Sequence, residues 1–593
     1  MLFLKLLFLT NRSNNLNKSP SIIFFTMDFK EEIAELLAQE TKMASAELRT
    51  MISVPPDSRL GDYAFPCFKL GKNPVEEAKK LKEKMILPKV FSKADVSGPY
   101  LNFFLNPVFL AEHTLQEVYR EGKYYGKKDL GKGKRVVIEY CGPNTNKPLH
   151  LGHLRNMALG QSVCRVFSFM GYEVHPVNII NDRGIHICQS MLAYQKWGQE
   201  KMPDKKGDHF VGDYYVIFSK KATEDPHLKE EAQQLLLRWE QGDKETRALW
   251  KQMNSWVLSG FAQTYKRFGI AFDKEYPESE YYEAAKEVVL EGVENKIFKK
   301  DETGAIIAPL EKYHLSDKVL LRADQTSIYI TQDLYLATMR YRDFKFNKMV
   351  YVVASEQKLH FQQLFKILEL LGKKYADGLY HLSYGLVHLP SGRMKSREGT
   401  VVDADDIIDE VANIAATEIT KRHDSLLPEE MSQRADAIAL AAIKFFMLQT
   451  DPGKDIVFNP EESLSFEGET GPYLQYAHAR ACSILRKGKK EYGLAVSEKV
   501  SFEHFHQQEV LRLIKLLSQF SDTIADVVRT YKPHILAQYL ITLAQAFSEF
   551  YQHCPVISER KQEMKALLLL VDCVRQVLVN GLYLLGLQAP EEM

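Results

Sequence analysis

The sequence predicts an α/β multidomain chain, a doubly wound parallel sheet flanked by a small α+β N-terminal domain and an all-α C-terminal bundle. Three observations carry this. RVVIEYCG (135–142) is a compact β-branched run, as a strand buried on both faces of a parallel sheet should be. It leads through a Pro/Asn turn into the apolar-periodic LGHLRNMALGQSVCRVFSFMG and then into the strand-like YEVHPVNII, the opening of a Rossmann-type unit. Beyond about residue 430 the text is almost wholly helical in period, and five helices with polar connectors fit a bundle.

At 593 residues the chain has room for three or four domains. Residues 1–26 read as a non-structural N-terminal extension, because neither of their apolar runs reaches the roughly 18 residues of a membrane span. Lys5 also interrupts the apolar core a signal peptide would need, and Met27 reads as the working start. Residues 27–128 form the α+β domain: helical DFKEEIAELLAQET, the turn-rich PPDSRLGDYAFPCF, a charged helix at EEAKKLKEKM, the strand-like SGPYLNFFLNP, and a helix over 107–121. Residues 129–435 hold the sheet, with a charged helical insertion over about 195–300, and 436–593 the bundle. Hydrophobic residues make up 45% and charged residues 26%, an ordinary globular balance. Formal net charge is zero, so a nucleic-acid surface must be a local patch, for which Arg486–Lys490 is a candidate. The seven cysteines (67, 141, 164, 188, 482, 554, 573) include no C-x-x-C pair, which argues against a disulfide framework or a thiolate metal site.

The strongest local signal is His150-Leu151-Gly152-His153 between a strand and a helix. Imidazoles at a helix start can donate to phosphate oxygens, the helix N-terminus adds partial positive charge, and Gly152 leaves room for a flat adenine ring. The full segment EYCGPNTNKPLHLGHLRN resembles the signature of arginyl-tRNA synthetases, a class I family. Glu139, Asn144, Lys147, Pro148, His150, Gly152 and His153 stand where that family has them. The similarity continues through NDRG (181–184), YITQDL, EQKLHFQQLF, MKSREGTVV and TGPYLQYAHAR, and so spans Met27 to Met593.

The resemblance implies an arginine–tRNA ligase that activates arginine with ATP and esterifies it to tRNA. His150, Gly152, His153, His360, Gly385, Val387, Lys395 and Ser396 are then expected at ATP. Arg393, Lys395 and Arg397 form a degenerate cation loop that stabilises phosphate charge, with Lys147 supplementing it. A permanently charged guanidinium demands acceptors. Tyr329 and Asp333 are four apart on one helix face, so Asp333 can take it bidentately with Gln357 beside it. Glu139 and Asn144, with His150, are expected at the α-amino and carboxylate groups. For tRNA the family places Tyr473, Tyr476, Tyr551 and Met593 at the anticodon, and Tyr100 and Asn102 at the elbow. Ser97 replaces the asparagine often found beside the elbow contact. ATP with Mg²⁺ is the expected cofactor, with no tightly bound metal or organic group, and the expected state is a cytoplasmic monomer without a membrane partner. Three rivals stand beside this reading: a class I enzyme for another amino acid, a non-catalytic RNA-binding paralogue, and a small-molecule nucleotidyltransferase.

Overall fold

The computed structural model describes residues 29–324, 326–390, 402–421 and 426–593, so the N-terminal extension and the cation loop lie outside the described residues. The chain divides into two compact units within one helix, between His113 and Thr114.

The first unit runs α1 (Phe29–Glu40), α2 (Ser45–Met51), β1 (Tyr63–Pro66), α3 (Pro74–Lys84), β2 (Phe91–Ser97), β3 (Tyr100–Leu105) and the start of α4 (Pro107–Glu121). Its strands form an antiparallel sheet in the order β1-β3-β2. β1 falls inside the stretch read as turns, and β2, joined to β3 by Gly98-Pro99, has no clear apolar alternation in FSKADVS.

The second unit is built on five parallel strands. β4 (Arg135–Glu139) is followed by α5 (Leu151–Phe169), β5 (Glu173–Ile180), helices α6 (Ile185–Trp197), α7 (Gly207–Glu224), α8 (His227–Glu240) and α9 (Lys244–Phe268), and β6 (Lys274–Pro277). After α10 (Ala285–Glu294) comes a small antiparallel sheet of β7 (Lys299–Lys300), β8 (Ile306–Ala308) and β9 (Lys318–Leu321). α11 (Tyr329–Phe344), β10 (Lys348–Ala354), α12 (Lys358–Leu370) and β11 (Leu379–Tyr384) complete the core. The sheet order is β11-β10-β4-β5-β6, so the winding reverses between β4 and β10, where such sheets hold ligands at their carboxyl ends. β6 corrects the reading of 195–300 as wholly helical insertion: KEYP is an edge strand, too short and too charged to show a strand pattern.

Alternation along the strands makes two faces. Val137, Val177, Met349 and Tyr351 pack with Ile330, Leu334 and Ala337 of α11 and with Phe361, Leu364 and Ile367 of α12. Val136, Ile138, Val350 and Val352 alternate with them and are equally buried, and α5 packs on β4, β5 and β10.

The remaining elements are β12 (Val387–His388), α13 (Ala404–Thr420), α14 (Pro428–Leu448), β13 (Ile456–Val457), α15 (Pro460–Ser463), α16 (Gly471–Tyr492), α17 (Gln508–Ser518), α18 (Phe520–Thr530), α19 (His534–His553) and α20 (Lys561–Leu585). The segment VLRLIKLLSQFSDTIADVV, expected as one helix, is two. The Gln519 N–H turns to Leu516 O, and Phe520 is buried between the rings of Tyr125 and Tyr539. α20 is long and apolar enough to cross a membrane by composition alone, yet 72% of its apolar window is buried against the helices it packs on. The seven cysteines are all unpaired.

Candidate active site

Helix α5 opens on the imidazole pair. His150 is the N-cap: its Nδ1 accepts from the Gly152 N–H at 3.2 Å, and His153 Nδ1 accepts from the His150 N–H at 3.0 Å. The rings thus close a capping box on each other, with centroids 4.0 Å apart. With both Nδ1 atoms accepting, each neutral ring keeps its proton on Nε2, a donor the cap leaves unused. Burial pushes His150 down to about 3, helped by Lys147. Burial, with His150 and Lys147 nearby, takes His153 well below the ordinary imidazole range, so the pair is neutral at physiological pH. Gly152 was expected to bare the backbone to adenine; its first task is to seat a ring, since a Cβ there would lie 3.0 Å from His150 Cε1.

Two polar residues just inside α5, which motif reading passed over, hold the surrounding loops. Asn156 Oδ1 accepts from the Cys141 N–H at 2.5 Å, and its Nδ2 donates to Val352 O at 2.8 Å and to the Tyr384 hydroxyl at 3.1 Å. One side chain therefore ties the ends of β4, β10 and β11 and secures Cys141 at a φ of 82°. Arg155, fully buried, donates to Gly385 O at 2.6 Å, Leu386 O at 3.3 Å, Pro452 O at 3.2 Å and Lys454 O at 2.8 Å. Gly385 itself is required by chain crossing, because a Cβ would meet the Lys454 carbonyl carbon at 2.4 Å. Val387 is buried in β12, paired with Ile456.

Lys395, Ser396, Arg393 and Arg397 lie outside the described residues. Their downstream neighbours pair with the imidazole motif: the Leu151 N–H donates to Val402 O at 3.3 Å and the Ala404 N–H to Leu149 O at 2.9 Å, which sets Asp403 opposite His150. The first turn of α13 is held in turn from α7 and α9. Asp405 accepts from Lys206 Nζ at 2.6 Å, lies 3.2 Å from His209 Nε2 and accepts from Thr264 Oγ1 at 3.1 Å. Burial works to raise Asp405, but these partners outweigh it and hold it at about 2, whereas burial lifts Asp403 to about 6 against the pull of His209. Asp208, His209 and Asp405 are close enough to hold a metal, but Lys206 already sits 2.9 Å from Asp208 and 2.6 Å from Asp405.

Lys147 is half-buried beside the imidazoles, and burial lowers its ammonium. Asn144 is exposed in the loop above β4, its backbone paired with Asn181.

The other face of β4 is acidic. Glu139 points toward α11 and pairs with Arg340, a buried guanidinium between the rings of Tyr276 and Tyr351. Arg340 stands seven residues beyond Asp333 on the same helix face and was not singled out from the sequence. Burial pushes Glu139 upward, with Asp333 adding to it and Arg340 opposing. Tyr329 opens α11 at 76% exposure, and Asp333, one turn on, lies 2.6 Å from His360 Nε2. His360, expected beside adenosine, is thus part of the acidic face. Gln357 is exposed at the start of α12. Nearby, Glu278 is buried, pairs with Arg183 of the NDRG stretch at 3.4 Å, and is raised to about 6 by burial.

The expected RNA contacts sort by exposure. Tyr476 and Tyr551 are both exposed and meet across Arg480, whose guanidinium lies 4.6 and 5.2 Å from their ring centroids. Arg480, also missed, completes an aromatic–cation platform suited to unpaired bases. Tyr473 instead bonds across the bundle to Ser548 at 3.2 Å. Met593 ends a tail strapped to α16, where Arg486 of the basic run pairs with Glu592 and so is drawn to the tail. In the first unit Tyr100 is exposed with Phe68 against it, while Asn102 is only 4% exposed, its Cβ close under Gly61, so its side chain is withdrawn from solvent.

A donor-rich helix start and a carboxylate face thus meet at the carboxyl end of one strand. Residues 114–460 match the family model for the class I tRNA synthetase (R) catalytic domain, 474–593 that of the DALR anticodon-binding domain, and 27–105 that of the arginyl-tRNA synthetase N-terminal domain. The arginine–tRNA ligase of Treponema denticola is 46% identical over 86% of this chain and 88% of its own. That of Borrelia hermsii is 40% identical over 95% of this chain and 99% of its own. The chain belongs to the arginyl-tRNA synthetase family. The Thermus thermophilus arginyl-tRNA synthetase superposes with a TM-score of 0.80 at 26% identity, covering 95% of this chain and all of that one. The catalytic domain of this chain is thus of the class I tRNA synthetase type.

Proposed function

We propose that arginine lies between the two faces, its guanidinium on Asp333 with Tyr329 and Gln357 and its α-amino and carboxylate groups on Glu139, Asn144 and His150. ATP lies with its phosphates on the Nε2–H donors of His150 and His153 and its adenosine toward Gly152, Gly385 and Val387. The arginine carboxylate attacks the α-phosphate and pyrophosphate leaves. The terminal ribose hydroxyl of tRNA then attacks the adenylate, releasing AMP. Lys147, Lys395, Arg397 and Arg393 offset charge on the phosphates, with Mg²⁺ arriving on ATP. tRNA rests on Tyr476, Arg480, Tyr551, Tyr473 and Met593 at one end and on Tyr100 in the N-terminal unit, and its binding is needed before activation proceeds. The enzyme works as a cytoplasmic monomer without a membrane partner.

The observation that carries this reading is the separation of neutral donors and carboxylates onto opposite faces of β4. Pyrophosphate exchange with each amino acid, with and without tRNA, tests it. Exchange with arginine only in the presence of its tRNA is expected, and exchange with lysine or glutamate would overturn the reading. Replacing Arg480 with alanine should raise the KM for tRNA about tenfold, as expected for the loss of one stacking platform.

A further inference from the structure

Lys444, on α14, is 3% exposed and has no carboxylate partner among the described residues. Its three protons go to Gln161 Oε1 at 2.9 Å, Phe268 O at 2.6 Å and Gly586 O at 2.9 Å. Phe268 ends α9, Gly586 caps α20, and the carbonyl ends of both helices converge on one ammonium. Gln161 belongs to α5 and turns its own amide to Gly269 O at 2.5 Å. One turn on, Arg165 donates to Tyr583 O at 2.6 Å. Near its start, α5 grips Pro452 and Lys454 through Arg155. The helix that carries the imidazoles is therefore bonded at both ends to the region that follows α14.

The chain beyond Gly586 runs back along α16. Gln475 donates to Gln588 O at 3.0 Å, and His478 Nδ1 lies 2.8 Å from Pro590 O. α16 is the helix of Tyr476 and Arg480. A continuous set of bonds thus joins the aromatic platform, the tail, Lys444 and α5. A buried cation held by carbonyls and, at 4.4 Å, the Phe268 ring is a poor source of stability, for which an apolar side chain of similar length serves as well or better, so its worth lies in fixing position. A cavity of about 260 Å³, lined by Arg165, Lys444, Tyr583 and Gly586 among others, leaves this joint room to move.

We propose that Lys444 is a positioning residue: it sets α5, and with it the imidazole pair, according to how tRNA engages the helices that end the chain. This rests on the proposed tRNA dependence of activation.

The test compares K444M, K444R and Gly586→Ala, the last of which drives a Cβ to 2.3 Å from Gln161 Oε1 at a φ of 84°. In K444M, kcat for arginine-dependent exchange at saturating tRNA should fall about tenfold, the size of a typical coupling energy. The KM for arginine and the tRNA affinity, read by fluorescence titration, should stay as in the wild type. K444R should recover most of the loss, and Gly586→Ala should repeat the K444M pattern. Full exchange in K444M would overturn the proposal, as would a loss no larger than the loss of tRNA affinity. If K444M does not fold, wild-type exchange in Gly586→Ala overturns it. Wild-type exchange without tRNA would sink the tRNA dependence alone; a lower kcat in the variants would then still assign the positioning of α5 to Lys444.

Discussion

The two faces of β4 solve opposite problems with the same tool. On the α5 face burial drives two imidazoles downward until they are neutral donors. On the α11 face burial drives Glu139 and Glu278 upward, and the buried Arg340 and the partly buried Arg183 oppose it. A phosphate chain brings its own charge and its own cations, so neutral N–H groups suffice to orient it. A guanidinium brings a charge that never leaves, and it needs a carboxylate that stays ionised. Asp333 differs from its neighbours in its place. It is on the rim of the face rather than under it, with His360 rather than a buried arginine as its partner.

The comparison breaks most sharply at Asp333. Changing it to asparagine removes the anionic half of two charge-assisted bonds, so kcat/KM for arginine should fall about a thousandfold. The KM for ATP should hold. A matching rise in the KM for ATP would mean that the two faces are not separate in function.

His150 tests the other face. Alanine there removes both a phosphate donor and the cap of α5, and exchange should fall about a hundredfold, as for the loss of one preorganised donor. Asparagine retains the cap, so H150N should unfold like the wild type while still losing most of the rate. A full return of activity in H150N would reduce the imidazole to a helix cap.

What could be read from the sequence follows the range of each interaction. The imidazole pair was legible because cap, ring and helix are all within four residues. Asp333 was legible because its helix begins one turn earlier. Arg340 was not, since it is on α11 and its partner Glu139 is far off in the chain on β4. Arg155 and Asn156 come two and three residues after His153, yet their acceptors lie at 352, 384, 385, 386, 452 and 454, which no local pattern announces. β6 was hidden by being an edge strand of four residues, and the break at Gln519 by a helical period that continues through it. The contact of His360 with Asp333 left no local signal either, because it is made to a helix that precedes it in the chain and packs beside it.

Glu278 sharpens the acidic side by titration. Its carboxyl is at about 6 in the fold against an ordinary 4.5. The folded state therefore holds its proton more tightly, and the stability this gives is complete below 4.5 and lost as pH rises through 6. The loss is about 2 kcal/mol. Urea unfolding at a series of pH values should show E278Q free of that decline. If its slope between pH 4.5 and 6 equals that of the wild type, burial is not raising this acid.

The smallest expected effect is the most local. In G152A the new Cβ must share space with His150 Cε1 at 3.0 Å and Nδ1 at 3.1 Å, so the ring has to yield by a few tenths of an ångström. Alanine is the better helix former, by up to about 1 kcal/mol, and the variant should unfold no earlier than the wild type. The Nε2–H donor, however, moves with the ring, and misplacing one positioned donor should raise the KM for ATP about fivefold. The KM for arginine should change less, since Asp333 and Glu139 are across the sheet and only the His150 contact moves. A gain in stability together with a loss larger for ATP than for arginine would be hard to obtain in any other way, because it requires that the donor face be tuned by the seat of one ring while the acidic face does not feel it.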